Sequence, residues 1–148
     1  MPPGKVIYTV GHSNLPWEGF VRLLTDFEIE IVADVRRFPT SKKHPHFARE
    51  ALARGLSQAG IRYEWLGEEL GGYRKGGYEA HMQTESFRRG ITRLLSLSDE
   101  GRVAILCAER NPRGCHRRYI SAHLAGLGVR VIHILGPGKT REEAPRLI

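Results

Sequence analysis

Five short runs rich in β-branched and aromatic residues alternate along this chain with four stretches whose apolar residues return at helical spacing. The runs are KVIYTVG (5–11), IEIVADVR (29–36), IRYEWLG (61–67), RVAILCAE (102–109) and VRVIHILG (129–136). The first helix is expected to start from Ser13 or Asn14 as N-cap, with Pro16 in its first turn and Phe20, Leu23, Leu24 and Phe27 on one face. FAREALARGLSQAG (47–60), ESFRRGITRLLSLSDEG (85–101) and CHRRYISAHLAGLG (115–128) supply the other three. Strands separated by helices make βαβ units. The expectation is an α/β fold: a mostly parallel five-stranded sheet with helices on both faces, in Rossmann-like or flavodoxin-like layering. Strand order is not encoded in this pattern. A single α/β domain over 1–148 is expected, with its core at about 5–136 and a tail at 137–148.

In open sheets of this kind, ligands bind beyond the carboxyl ends of the strands. That rule selects His12 and Ser13 after the first run, RRFPTSKKHPHF (36–47) after the second, GEELGGYRKGGYEAHMQT (67–84) after the third, and ERNPRGCHRR (109–118) after the fourth. Two of these connections exceed the 2–6 residues usual for such loops, which points to function. Segment 36–47 carries Arg36, Arg37, Lys42 and Lys43 with no acidic residue, and 67–84 mixes glycines with Tyr73, Arg74, Lys75 and Tyr78. Basic groups interleaved with aromatics suit phosphates and stacked bases, although a solvated loop with its tyrosines packed down has the same composition.

Charge points the same way. Of 23 basic side chains, 5 are lysine and 18 arginine, for a formal charge of +7. Arginine's planar fork matches phosphate and carboxylate better than the point charge of lysine. An anionic small molecule or nucleic acid is the expected partner, and a solvated basic surface is the alternative. No apolar run approaches the roughly 18 residues of a membrane span, and MPPGKVIYTVG has no signal-peptide apolar region, so no membrane partner and a cytoplasmic location are expected. Two cysteines are too few for a disulfide framework.

The densest chemistry lies in LCAERNPRGCHRRYI (106–120). Cys107 and Arg113 form C-x5-R, the spacing of a phosphatase loop, but Pro112 removes one amide from such a cradle and no serine or threonine follows Arg113. Cys107, Cys115 and His116, with His12, His44, His46 or His133, contain enough donors for a metal, yet C-x7-C-H is not a zinc spacing, and no metal site is assigned. The preferred reading rests on the first turn of the helix over 115–128, whose free amides and dipole attract anions. Arg117 and Arg118 there call for an anion or for a carboxylate such as Glu109 or Asp34, and the same field favours the thiolate of Cys115. An ion pair of Arg117 with Glu109 is the structural alternative. Asp34 is read first as a charge partner of Arg36 or Arg117 and second as a general base. His12 is open between proton transfer and a turn hydrogen bond, and His123 is structural. GPGKT (136–140) lacks the earlier glycine of a P-loop and reads as a turn near the chain's end.

YTVGHS (8–13), ADVRRFPTSK (33–42), PHF (45–47), LGEELGG (66–72) with GY at 77–78, and CAERNPRGCHRRYI (107–120) together resemble the domain of unknown function 488 family, in order, from about residue 6 to residue 134. The resemblance implies a compact α/β domain. It further implies a characteristic residue set at His12, Ser13, Asp34, Arg36, Pro39, Ser41, Glu69, Gly71, Gly72, Glu109, Cys115, His116 and Arg117. It implies a site and no reaction.

The function expected from these readings is an enzyme with an anion site, phosphate or nucleic-acid-related, at the carboxyl ends of the strands, using a thiolate. Cys115, His12 and His116 are its catalytic candidates. Ser13, Asp34, Arg36, Arg37, Ser41, Glu69, Tyr78, Glu109 and Arg117 are its binding candidates. A non-catalytic nucleic-acid-binding module is one alternative, and a thiol redox or metal-dependent sensor is another. The residues name no cofactor, reaction type or oligomeric state, although the absence of G-x-G-x-x-G after the first strand favours transfer or hydrolysis over hydride chemistry.

Overall fold

The computed structural model describes residues 5–39, 43–72, 74–109 and 116–143. Six strands form one sheet: β1 (Val6–Gly11), β2 (Ile31–Asp34), β3 (Arg62–Trp65), β4 (Val103–Cys107), β5 (Arg130–Gly136) and β6 (Lys139–Glu142). Their order is β3-β2-β4-β1-β5-β6. The first five are parallel and β6 is antiparallel to β5. The helices are α1 (Trp17–Asp26), α2 (Arg49–Gln58), α3 (Gly67–Leu70), α4 (Tyr78–His81), α5 (Glu85–Glu100) and α6 (Arg117–Gly126), with a 3-10 turn at Pro45–Phe47.

The α/β fold and the mostly parallel sheet match the sequence expectation, with six strands in place of five. The addition is KTRE (139–142), all four residues of which are exposed. A charged segment with no apolar face carries no strand signal, and its pairing with β5 comes from the hairpin geometry of the GPGK turn. α1 begins at Trp17 with Pro16 as N-cap and no side-chain cap, so neither Ser13 nor Asn14 caps it. Ser13 instead takes a positive φ of 46°, because its N–H is drawn to the Ala108 carbonyl at 2.8 Å. The connection 67–84 is partly structured: α3 and α4 fall within it.

The sheet separates two apolar layers. Phe20, Leu23 and Leu24 of α1 and Leu52 and Leu56 of α2 pack with Val32, Ala104 and Leu106 on one face. Phe87, Ile91, Leu94 and Leu97 of α5 and Ile120 and Leu124 of α6 pack with Ala33, Val103, Ile105 and Val131 on the other. Strand alternation assigns each residue to its layer. Burial of each large apolar side chain contributes about 1.5–3 kcal/mol. The winding follows from this partition. From β1 to β3 the chain moves one way along the sheet through α1 and α2. It then returns over the opposite face through α5 and inserts β4 between β2 and β1. Connections leave β4 and its two neighbours toward opposite faces, so a crevice opens at their carboxyl ends.

Candidate functional site

Two clusters line that crevice, one on each face of the sheet. On the α1/α2 face, Asp34 closes β2 with no exposure. Its Oδ1 accepts from the Arg36 main-chain N–H at 3.0 Å and from Arg36 Nε at 2.8 Å, and its Oδ2 accepts from Arg36 Nη2 at 2.8 Å and Tyr63 hydroxyl at 2.6 Å. Arg36 Nη1 donates to the Phe47 carbonyl at 2.7 Å. Of the two partners expected for Asp34, the structure selects Arg36 rather than Arg117. The reason is local: the residue two beyond the strand end can fold back onto its carboxylate, with its own N–H joining the fork. Burial, then Asp34, pushes the Tyr63 phenol up, so it stays protonated as the donor.

His12 follows β1 and stacks on Phe47, with ring centroids 4.3 Å apart. Its Nδ1–H donates to the Ser13 carbonyl at 2.9 Å, which leaves Nε2 bare toward Arg36 Nη1 at 3.4 Å. Burial, reinforced by Arg36, lowers its pKa to about 4. His12 is therefore a neutral imidazole near neutral pH.

On the α5/α6 face, Arg117 is fully buried. Its Nη1 donates to Thr9 Oγ1 and its Nη2 to the Glu109 carbonyl, each at 3.1 Å. The Glu109 contact expected as a carboxylate pair is thus made through the main chain, while the residue itself is exposed. His116, the N-cap of α6, lies just before its first turn, and its Nε2–H donates to the Val35 carbonyl at 3.0 Å. Its Nδ1 faces Gly72, where an added Cβ would stand only 3.2 Å away. A Cβ on Gly71 would meet the Gly67 carbonyl oxygen at 2.3 Å and Arg37 Cβ at 2.4 Å, so only glycine lets this run approach Arg37 and His116.

Arg74 folds back on the same run, donating to the carbonyls of Gly71 at 2.8 Å, Gly67 at 3.3 Å and Glu68. Arg74 thereby caps the end of the short helix α3, where the Gly67 carbonyl also accepts the Gly71 main-chain N–H at 2.9 Å. His81 Nε2–H donates to the Glu69 carbonyl at 2.6 Å, and Tyr78 hydroxyl to Leu70 carbonyl at 2.7 Å. Tyr78 stacks on Tyr119, 5.4 Å between centroids.

The charges that act on His81 and His116 on this face are arginines. Burial lowers the pKa of His81 and of His116. Arg74 and Arg37 lower His81 further, and Arg74 and Arg117 lower His116 further. Arg74 is itself lowered by burial and then by Arg37, with Glu68 and Glu69 opposing.

Cys115 and Ser41 lie outside the described residues, as do Arg113, Pro112, Lys42 and Tyr73. The C-x5-R loop and any ligand set containing Cys115 therefore fall there too. Among the described residues, no three His, Cys, Asp or Glu side chains are placed to hold a metal. No helix among them is long and apolar enough to cross a membrane. Shallow clefts lined by Ser57, Gly60, Ile61 and Tyr63, and by Thr25, Glu30 and Arg102, open toward the amino ends of β2 and β3, and only Tyr63 is shared with the Asp34 cluster. Having neither charge convergence nor perturbed histidines, they are weaker candidates.

A family model, domain of unknown function DUF488, matches residues 16–124, well over half of the chain. The chain belongs to this family. No curated protein and no solved structure matches it. In this DUF488 chain the sequence pattern marks Arg74 only as one basic residue among several and does not single out Thr9 or Glu143. Thr9 did leave a signal, as the one aliphatic hydroxyl in VIYTVG.

Proposed function

We propose that this DUF488 protein binds a phosphate-bearing, nucleic-acid-related ligand in the crevice at the carboxyl ends of β1, β2 and β4, and acts on it as an enzyme using the thiol of Cys115. The observation that carries the reading is the glycine run Gly71–Gly72 laid against Arg37 and His116, with Arg74 folded onto it and the buried Arg117 acting on His116. An anion entering beside a buried imidazole whose charged neighbours are arginines offsets their repulsion and favours its protonation. His116 Nδ1 supplies a proton acceptor on that face. In the sequence Cys115 stands immediately before His116 and two residues before Arg117, and a cysteine that close to a helix start and an arginine is expected to favour the thiolate. Arg36, by contrast, has its fork engaged by Asp34, so its part is to hold the crevice wall around His12.

Binding is tested by titrating inorganic phosphate, nucleoside monophosphates and single-stranded oligonucleotides into the protein, with Arg74→Ala in parallel. The expected result is saturable binding, weakened about tenfold in the variant, the loss of one charge-assisted contact. Absence of binding by every probe overturns the anion site. The catalytic part is tested by the pH dependence of Cys115 alkylation in a Cys107→Ser background. A thiol pKa below ~8.5 supports the thiolate, and a normal or raised value overturns it.

One observation favours a second reading as a nucleic-acid-binding module. Phe38 is 62% exposed, with the Arg37 guanidinium 5.4 Å from its ring centroid. An aromatic beside a cation is a platform on which a base stacks while its phosphate is gripped. That reading gains if oligonucleotides bind far more tightly than mononucleotides, with a steep salt dependence.

A further inference from the structure

Thr9 on β1 and His133 on β5 are register partners in adjacent strands, so both side chains project to the α6 face side by side. Their contact is a 2.6 Å hydrogen bond between Thr9 Oγ1 and His133 Nδ1, and it belongs to a longer chain. Arg117 Nη1 donates to Thr9 Oγ1 at 3.1 Å, and His133 Nε2 meets Glu143 Oε1 at 3.0 Å. The direction of every proton follows from the two ends. A guanidinium can only donate, so Thr9 oxygen accepts from it, and the single hydroxyl hydrogen is left for His133 Nδ1. The carboxylate of Glu143 accepts, so His133 carries its hydrogen on Nε2. Donation thus runs one way from Arg117 to Glu143, and each bond polarises the next.

We infer that Glu143, presented by the β5–β6 hairpin, is a positioning residue for Arg117, acting through His133 and Thr9. The main-chain N–H of Glu143 donates to the Val131 carbonyl at 2.8 Å, which fixes the carboxylate beside β5. Three of the four members, Arg117, Thr9 and His133, are at most 2% exposed, while the Glu143 side chain is 30% exposed. The chain therefore connects a partly hydrated carboxylate to a buried cation. Its effect at the far end is geometric. Thr9 anchors Nη1 and the Glu109 carbonyl anchors Nη2, and two anchors define the plane of the guanidinium. The inference rests on Arg117 lying in the anion site, and it gives the exposed hairpin a role at a site formed elsewhere on the sheet.

The test is NMR of the full chain, reading the Arg117 side-chain resonances, the His133 ring nitrogens and the affinity for inorganic phosphate. Glu143→Gln, Thr9→Val and Thr9→Ser are compared with the parent protein. The expected result is a His133 ring protonated at Nε2, Arg117 resonances displaced in Glu143→Gln and Thr9→Val, and phosphate affinity reduced about tenfold in Thr9→Val, as for one hydrogen bond to a charged group. Thr9→Ser, which keeps the hydroxyl, is expected within about twofold of the parent, a rescue that a purely packing role of Thr9 would not produce. Arg117 resonances unmoved in Glu143→Gln would overturn the inference. Glu143→Gln lies at the partly exposed end, so this reading survives even if Thr9→Val does not fold. If the Arg117 resonances move as expected while the parent protein ignores phosphate, the positioning role stands and the anion-site reading falls.

Discussion

Asp34 and Arg36 form a buried two-pronged ion pair, with Nε to Oδ1 and Nη2 to Oδ2 both at 2.8 Å. Asp34 is unexposed and Arg36 is 7% exposed. Removing one partner of such a pair costs more than the pair contributes, because the other charge is left buried. Asp34→Ala is therefore expected to lower unfolding free energy by about 3–5 kcal/mol, read from urea denaturation at neutral pH. Loss of under about 1 kcal/mol, the range of exposed pairs, would show that Arg36 finds another acceptor or water.

Gly55 sits inside α2 directly against Trp17 of α1. A Cβ there would meet the indole Cζ2 at 2.4 Å and Cη2 at 2.8 Å. In an open helix interior, Gly→Ala adds about 1 kcal/mol of stability. Here overpacking opposes it, and Gly55→Ala is expected to destabilise by about 1–3 kcal/mol. In a Trp17→Leu background the same change should become neutral or stabilising, which a double-mutant cycle measures.

Acid should destabilise the fold through its histidines before the carboxylates titrate. Burial lowers the pKa of His12 to about 4, and lowers His81, His116 and His133 in the same direction. In each case the unfolded chain takes up its proton near 6.5, while the folded protein resists until its own lower pKa. Stability is thus whole above about pH 7 and falls as pH drops from 6.5 toward 4. The His12 share reaches at most about 3 kcal/mol at the acid end. Denaturation midpoints taken between these pH values should fall less steeply for His12→Gln than for the parent protein.

The arginines around His116 make a separate prediction about its titration. Arg74 and Arg117 both oppose its protonation. Arg74→Ala should therefore raise the His116 pKa toward the ordinary value, and a bound phosphate dianion should raise it as well. Histidine ring resonances followed through a pH titration, with and without phosphate, read both effects. A phosphate-insensitive His116 would place the anion elsewhere.

The α/β class, the five parallel strands and the four principal helices were legible because each depends on local periodicity: continuous β-branched runs for buried strands, three-and-four spacing for helices. The carboxyl-edge position of His12, Asp34, His116 and Arg117 was legible for the same reason, since a strand's end is a point in the sequence. What each of those side chains touches was not. Asp34 had two arginines within its expectation, and only the fold back of Arg36 onto its own strand end decided between them. Arg117 found a main-chain carbonyl where a carboxylate was expected.

The relay from Arg117 to Glu143 depends on strand order and register. Thr9 and His133 are 124 residues apart in the chain, and nothing local to either one specifies the other. They meet because the chain leaving β4 crosses β1 and lays β5 along its far side, an arrangement decided by how two layers of helices share one sheet. Local periodicity in the sequence determined the elements and the edge at which His12, Asp34, His116 and Arg117 stand. Tertiary structure alone decided the partners, because hydrogen bonds and charges act over a few ångströms of space, whatever the separation along the chain.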